Sequence, residues 1–254
     1  MIPVSVIIPT YNEEENLREL LPLVQWADEV LVIDSFSTDG TCQVAESLGA
    51  TLRQHEYEYS AAQKNRAIQW VKNDWILLID ADERPTKDLI LEIQTMLYNP
   101  SIPHQAYWIR RQNYFMGQKI RFSGWQNDAV IRFFNRSSCQ YEDKKVHAEI
   151  QCNGSTSRLK AVFKHYTYRD MDHFMEKMER YAAWSAVDHA SRTKKVTAYH
   201  LFVKPIARFF KHFILKGGIF DGIIGFKISK IMAWGVRRRY LLLKEMQQKQ
   251  TNDL

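Results

Sequence analysis

Hydrophobic and polar positions alternate between two periods over the first hundred residues. The run VSVIIP (4–9) is continuous enough for a strand buried on both faces, and EEENLRELLPLVQWA (13–27) then spaces Leu17, Leu20, Leu21 and Val24 at helical intervals behind an acidic first turn. EVLVID (29–34) predicts a second strand, DGTCQVAESLG (39–49) a helix closed by Gly49, and ATLRQHE (50–56) a third strand. SAAQKNRAIQWVKN (60–73) predicts a helix with Ala62, Ala67, Ile68 and Val71 inward, and DWILLID (74–80) a fourth strand. Strands and helices in this order predict an α/β domain with a Rossmann-like, mostly parallel sheet flanked by helices. From about residue 104 the pattern turns to aromatic, irregular strands in AYWIRRQNYFMG, AVIRFFN and LKAVFKHYTY, followed by a helix over 170–190. No Gly/Pro/Ser-rich linker precedes them, so they read as an extension of the same domain.

In such sheets ligands bind outside the carboxyl ends of the strands. The residues there are TYNEE (10–14), DSFSTDG (34–40) and DADE (80–83), and two of these stretches are acidic. An apolar run ending in Asp80, Asp82 and Glu83 places like charges together, so water or a cation must lie beside them. Asp80 and Asp82 suit a hard divalent ion that keeps positions for phosphate oxygens. They equally suit a solvated strand end or the start of the helix that follows.

Composition narrows the class. With 254 residues, 45% of them apolar and 13% aromatic, the chain can fill a substantial core. Cys42, Cys139 and Cys152 match no zinc or redox spacing, which predicts reduced thiols and a cytosolic compartment. There is no signal-peptide pattern and no uncharged run long enough to span a bilayer. Formal charge is +6, yet residues 1–200 hold 24 basic against 26 acidic residues, whereas 201–250 hold 11 lysines and arginines against Asp221 and Glu245. The basicity therefore belongs to the tail. In KPIARFFKHFILKGG (204–218) Ile206, Phe209, Phe210, Phe213 and Ile214 share one helical face opposite Lys204, Arg208, Lys211, His212 and Lys216. Phe220, Ile223, Ile224, Ile228 and Ile231 extend the apolar pattern, so the tail is expected to contact an anionic membrane surface, peripherally, rather than nucleic acid.

The stretches VSVIIPTYNEEENL, VLVIDSFSTDGT, QKNRAI and DWILLIDADE, in this order, resemble glycosyltransferase family 2, whose catalytic domain has the GT-A fold. GWQNDAVIRFFNR followed by VH is similar to the bacterial branch that includes lipopolysaccharide-core β-glucosyltransferases. The resemblance implies a metal-dependent inverting hexosyltransferase using Mg²⁺ or Mn²⁺, a nucleotide-sugar donor such as UDP-glucose, and a glycan or glycolipid acceptor such as lipopolysaccharide core. It implies a cytoplasmic enzyme peripheral to the inner face of the membrane. By position it places Pro9, Tyr11 and Glu13 around the nucleotide, Asp34 near its base or ribose, and Lys64 near the diphosphate or base. Asp80 and Asp82 form the Asp-x-Asp motif with Asp82 the direct metal ligand, and the metal-bound substrate supplies the cation that the acidic strand end needs. Asp128 is the implied catalytic base, with Gly124 and Trp125 in the loop on the acceptor side. Ser35 stands where many relatives have a second Asp, and Ala148 where this branch often has Glu. Glu149, His147 and His165 remain alternatives there, with His165 preferred as a late metal ligand. The implied organisation is a transferase domain over 1–200, its nucleotide-sugar half to about residue 100, and a basic helical tail over 201–254.

Two other classes compete. A sugar-nucleotide nucleotidyltransferase shares the sheet type, but a glycine-rich basic loop is expected after its first strand, where PTYNEEEN is acidic and lacks glycine. A non-enzymatic membrane or nucleic-acid binding module accounts for the tail and leaves the acidic strand ends unexplained.

Overall fold

The computed structural model describes residues 1–99, 101–144, 148–168 and 171–252. His147 lies outside them. The chain forms two compact units, one from residues 1–111 and 128–165, the other from 112–127 and 166–254. Residues 166–200, which the sequence assigns to the transferase domain, thus group with the C-terminal helices.

The first unit is built on β1 (Val4–Thr10), followed by α1 (Glu14–Val24), β2 (Glu29–Asp34), α2 (Thr41–Ser47), β3 (Thr51–Gln54), α3 (Ser60–Trp70) and β4 (Trp75–Leu78). These strands are parallel in the order β3-β2-β1-β4, as the alternating pattern predicts. Successive side chains on a strand point to opposite faces, and the core follows suit. Val4, Val6 and Ile8 of β1 pack with Leu17, Leu20, Leu21 and Val24 of α1 and with Val44 and Ala45 of α2, while Ile7 packs with Ala61, Ala67 and Ile68 of α3. Both faces of the sheet are therefore covered, which explains why its strands are continuously apolar.

One inward position differs from expectation. α3 buries Ala61, Gln63 and Lys64 in place of Ala62. Its buried face is turned toward polar residues because Gln63 Nε2 donates to Ser35 Oγ at 2.6 Å and Lys64 pairs with Asp80.

Past β4 come β5 (Glu83–Pro85), α4 (Lys87–Tyr98), β6 (Ala106–Phe115), β7 (Gln118–Lys119) and β8 (Ala129–Asn135). Next are the hairpin β9 (Cys139–Tyr141) and β10 (Ile150–Cys152), then β11 (Thr156–Tyr168). The sheet continues β4-β8-β6-β11-β5 with antiparallel pairings at β4/β8, β8/β6 and β11/β5. The β6/β8 register slips between Tyr107 and Trp108, which pair with Phe133 and Ile131, so Arg132 is the extra residue of a β-bulge. Alternation breaks there: Phe134 and Ile131 lie in one core cluster and Phe133 in the other. Bulges re-aim side chains, and this one turns Arg132 into the site described below. The three cysteines are free thiols.

The second unit pairs α5 (Met171–Ala190) with α7 (Gly222–Asn252). Its core joins Phe115, Ile120, Tyr168 and Phe174 to Ile224, Ile228 and Ile231. Between the long helices lies α6 (Lys204–Phe210), bracketed by π-helical turns over Tyr199–Val203 and Lys211–Leu215 and followed by a 3₁₀ turn over Gly218–Asp221. Gly217, at φ +72, ends the second π turn, where a side chain would meet Phe122. The buried Asp221 carboxylate accepts from the Arg121 and Phe122 N–H groups at 3.0 and 3.1 Å and from Ser123 Oγ at 2.7 Å. The basic tail is therefore helical, as expected, but shares its core with residues 112–127 and α5.

Candidate active site

The loops after β1 and β2 form one hydrogen-bonded rim. Asn12, in the left-handed region at φ 54, accepts from Thr38 N–H at 2.8 Å and donates its own N–H to Ser37 Oγ at 2.8 Å. Glu13 N–H donates to Thr41 Oγ1 at 2.8 Å, and its carboxylate accepts from Asn16 Nδ2. Pro9 is half-buried in β1, opposite Ile33, and Tyr11 is exposed at the tip. Asp34 is fully buried; its carboxylate accepts from Ser37 N–H, Ser37 Oγ, Gln54 Nε2 at 3.0 Å and Cys42 Sγ at 3.4 Å. Burial pushes this carboxyl up, but those donors outweigh it and hold it below its ordinary value. Burial and the Asp34 carboxylate in turn push the Cys42 thiol up to about 11.

At the end of β4 the acidic cluster carries protein cations of its own. Lys64 Nζ lies 2.9 Å from Asp80 Oδ1, and Arg132 Nη2 donates both to Asp80 Oδ2 and, at 2.9 Å, to Glu83 Oε1. Arg111 Nη1 reaches the same Glu83 oxygen at 3.3 Å and Nη2 reaches Asp128 Oδ1 at 2.6 Å. Glu83 is fully buried and its other oxygen accepts from Asp80 N–H at 3.0 Å. Burial opposes ionisation of Asp80, yet the Arg132 and Lys64 charges beside it hold its carboxyl far below the carboxylate range. This corrects the expectation that the positive charge arrives only with a metal-bound substrate. Glu83 was noted in the acidic strand end, but Arg111 and Arg132 were missed, and for Arg132 the available signal was an arginine inside the otherwise apolar run AVIRFFN: a charge among residues that pack on both sides needs a buried partner.

A cavity of about 270 Å³ opens beside this network, lined by Lys64, Asp80, Arg111, Arg132, Tyr141 and Glu149 among others. The Nε–H groups of Arg111 and Arg132 are buried without a hydrogen-bond acceptor among the described residues. Tyr141 closes one side, its ring 5.5 Å from Lys64 Nζ and its hydroxyl 3.3 Å from Arg132 Nη1.

Asp82 is set apart from Asp80 by the turn between β4 and β5. Its Oδ2 lies 3.4 Å from His165 Nε2, which β11 delivers by pairing His165 opposite Glu83. Among the described residues no three His, Cys, Asp or Glu side chains gather as a metal cage. A carboxylate and an imidazole side by side nonetheless fit a divalent ion that takes its other ligands from phosphate oxygens and water.

The structure thus brings Lys64, Asp80 and Asp128 into one ionic chain and pairs Asp82 with His165. Pro9, Tyr11, Glu13 and Asp34 lie on the rim at the ends of β1 and β2. Gly124, at φ +87, and Trp125 belong to the second unit, where Trp125 packs on Phe115 and Tyr168.

Residues 5–166 match the family model described as Glycosyl transferase family 2. The chain is 28% identical over 264 residues to an uncharacterized glycosyltransferase of Rickettsia typhi, with 99% of this chain and 90% of that protein covered. It is 26% identical over 232 residues to the lipopolysaccharide core biosynthesis glycosyltransferase LpsC of Rhizobium meliloti, covering 89% and 86%. The crystal structure of S. aureus TarS residues 1–349 in complex with UDP-GlcNAc has the same fold, at a TM-score of 0.51 and 16% identity, with 98% of this chain and 92% of that one covered.

Proposed function

Because the chain belongs to glycosyltransferase family 2, we propose that it is a metal-dependent, inverting hexosyltransferase that uses a UDP-sugar, UDP-glucose or a close analogue. The acceptor is a bacterial envelope glycan or lipid-linked glycan of the lipopolysaccharide-core kind. Likeness to LpsC over most of the chain supports the acceptor class. Family membership also takes the place of the nucleotidyltransferase and non-enzymatic alternatives.

The observation that carries the reading is the division of labour among the acids of DADE and GWQND. Asp80 and Glu83 are neutralised inside the protein, Asp82 sits with His165, and Asp128 pairs with Arg111. Asp82 and His165 would hold Mg²⁺ or Mn²⁺, whose chemistry is to stabilise the diphosphate as it departs. Lys64 and Asp80 border the cavity that takes the nucleotide sugar, and the rim of Pro9, Tyr11, Glu13 and the loop fastened by Asp34 receives the base and ribose. Asp128 takes the proton of the acceptor hydroxyl while that oxygen bonds to the anomeric carbon. The bond from that carbon to the diphosphate breaks on the opposite face, and the nucleoside diphosphate leaves with the electron pair.

Functionally, residues 1–200 carry donor and acceptor sites and 201–250 meet an anionic membrane surface. No helix among the described residues is long and apolar enough to cross a membrane. The test is a panel of nucleotide sugars offered with Mn²⁺, Mg²⁺ or chelator, with transfer to a truncated lipopolysaccharide core read by mass spectrometry and anomeric configuration by NMR. A product of inverted configuration, formed only with metal, is expected. Pyrophosphate release from nucleoside triphosphates without sugar transfer would overturn the reading.

A further inference from the structure

α6 and the π-helical turn after it set polar side chains against the protein and leave apolar ones bare, whereas α7 buries Ile224, Ile228 and Ile231. Two polar side chains face the protein: Lys204 Nζ donates to Tyr240 OH at 2.6 Å, and the buried His212 lies 3.1 Å from the Ser123 carbonyl through Nδ1. Rings of Phe209 and Phe213 pack edge-on against Phe226 at 5.5 and 5.8 Å, which fastens the two segments side by side. Their connecting turn carries bare apolar side chains, with Leu215 82%, Phe220 76% and Ile223 67% exposed. Ile206 and Phe210 of α6 and Ile214 of the π-helical turn after it are exposed as well. A contiguous apolar surface of this kind on a folded chain marks an interaction site.

Charge identifies the occupant. The one acid of this turn, Asp221, is buried and committed to residues 121–123, so the exposed ionic groups flanking the apolar surface are Lys211, Lys227 and Lys230. A second copy docking on the same face would set these lysines against their own counterparts, whereas an anionic leaflet attracts them and its acyl region accepts the apolar tip. Resting on the membrane contact proposed above, we infer that the turn from Ile214 to Ile223 inserts into the acyl boundary of an anionic membrane. Attachment is then hydrophobic at the tip and electrostatic only around it. This differs from a helix held by its basic face, because much of the binding survives salt.

The experiment uses the full chain with vesicles of phosphatidylcholine plus phosphatidylglycerol, and of phosphatidylcholine alone, in flotation assays at low salt and at high salt. In about 1 M NaCl the Debye length is about 3 Å and electrostatic attraction is screened. Substantial binding is expected to persist there. The triple variant Leu215→Glu, Phe220→Glu, Ile223→Glu should lose about 10²-fold or more in vesicle affinity, the scale of withdrawing two or three large side chains from an apolar phase. The double variant Leu215→Ser, Phe220→Ser gives an uncharged check of the same loss, and circular dichroism melting shows whether each variant is folded. UDP binding in lipid-free buffer is read separately, so a failed transferase reading is recognised independently of the vesicle result. Full release by salt together with wild-type vesicle binding by both variants would overturn insertion while leaving electrostatic contact standing. Absence of vesicle binding by the intact chain would overturn both. A lipid-free dimer dissociated by the triple variant, without vesicle binding, would assign the face to a second copy instead.

Discussion

Arg111 holds Asp128 at 2.6 Å through one guanidinium nitrogen and buried Glu83 at 3.3 Å through the other. One side chain therefore connects the proposed base to the acidic turn at the end of β4. Asp128→Asn keeps the size of the side chain but cannot accept a proton. It is expected to reduce turnover by about 10²-fold or more with UDP affinity nearly unchanged, read by steady-state kinetics beside calorimetric UDP binding. Collapse of donor affinity would make Asp128 a binding residue and Glu149 the next candidate.

Arg111→Lys preserves the charge and loses the two-pronged reach. The expected result is a lower kcat with KM for the donor little changed, since Glu83 keeps Arg132 as a partner. Loss of donor binding instead would show that Arg111 contacts the donor directly.

Asp82→Asn should abolish metal-dependent UDP binding and transfer while leaving the melting transition in place, because Asp82 is partly exposed. Titration of UDP in the presence and absence of Mn²⁺ checks this. Full activity in the variant would remove Asp82 from the metal site.

Arg132→Met addresses stability. Both Asp80 and the fully buried Glu83 lose their shared cation, and breaking a buried ion pair from one side costs about 3–5 kcal/mol. Urea unfolding should record a loss of that order, and Arg132→Met combined with Glu83→Gln should recover part of it.

His212 predicts a pH dependence. Burial, together with Lys216, Arg208 and Lys211 nearby, holds its imidazole below the ordinary value near 6.5, against the favourable hydrogen bond to the Ser123 carbonyl. The unfolded chain therefore takes up this proton first, so stability is full above pH 6.5 and declines as pH falls below it. His212→Asn, which can still donate to that carbonyl, should flatten part of the decline in melting temperature. His189 and His200, lowered chiefly by burial as well, keep the remainder.

The residues that sequence reasoning placed correctly are those whose environment follows from local period. Leu17, Leu20, Leu21 and Val24 are buried because a helix lying on a sheet must turn one stripe inward, and β1 is apolar throughout because both its faces are covered. What remained hidden depends on pairing at a distance. Arg132 meets Glu83 and Asp80 from 49 and 52 residues away, through a bulge that no period announces. The same applies to α3, where a lysine rather than Ala62 faces inward because its partner, Asp80, comes from the segment just past β4. In the tail the two faces were legible, but their orientation was not. Ile224, Ile228 and Ile231, grouped by sequence with Phe220 and Ile223, are core residues, and only the latter two are bare.

The Asp221 carboxylate caps backbone N–H groups of residues made one hundred positions earlier. During synthesis at about 5–20 residues per second, the segment 112–127 must wait roughly 5 to 20 s for that cap to be translated. The same long separation makes the second unit a late and slow closure, since distant partners are costly to bring together. Ending the chain near residue 200 would remove the cap and half of the core around Phe115 and Phe174, stranding residues 112–127 in the incomplete state that a nascent chain passes through. Chaperone dependence is thus expected to concentrate on this half of the protein, and to peak when the chain lacks only its last long helix.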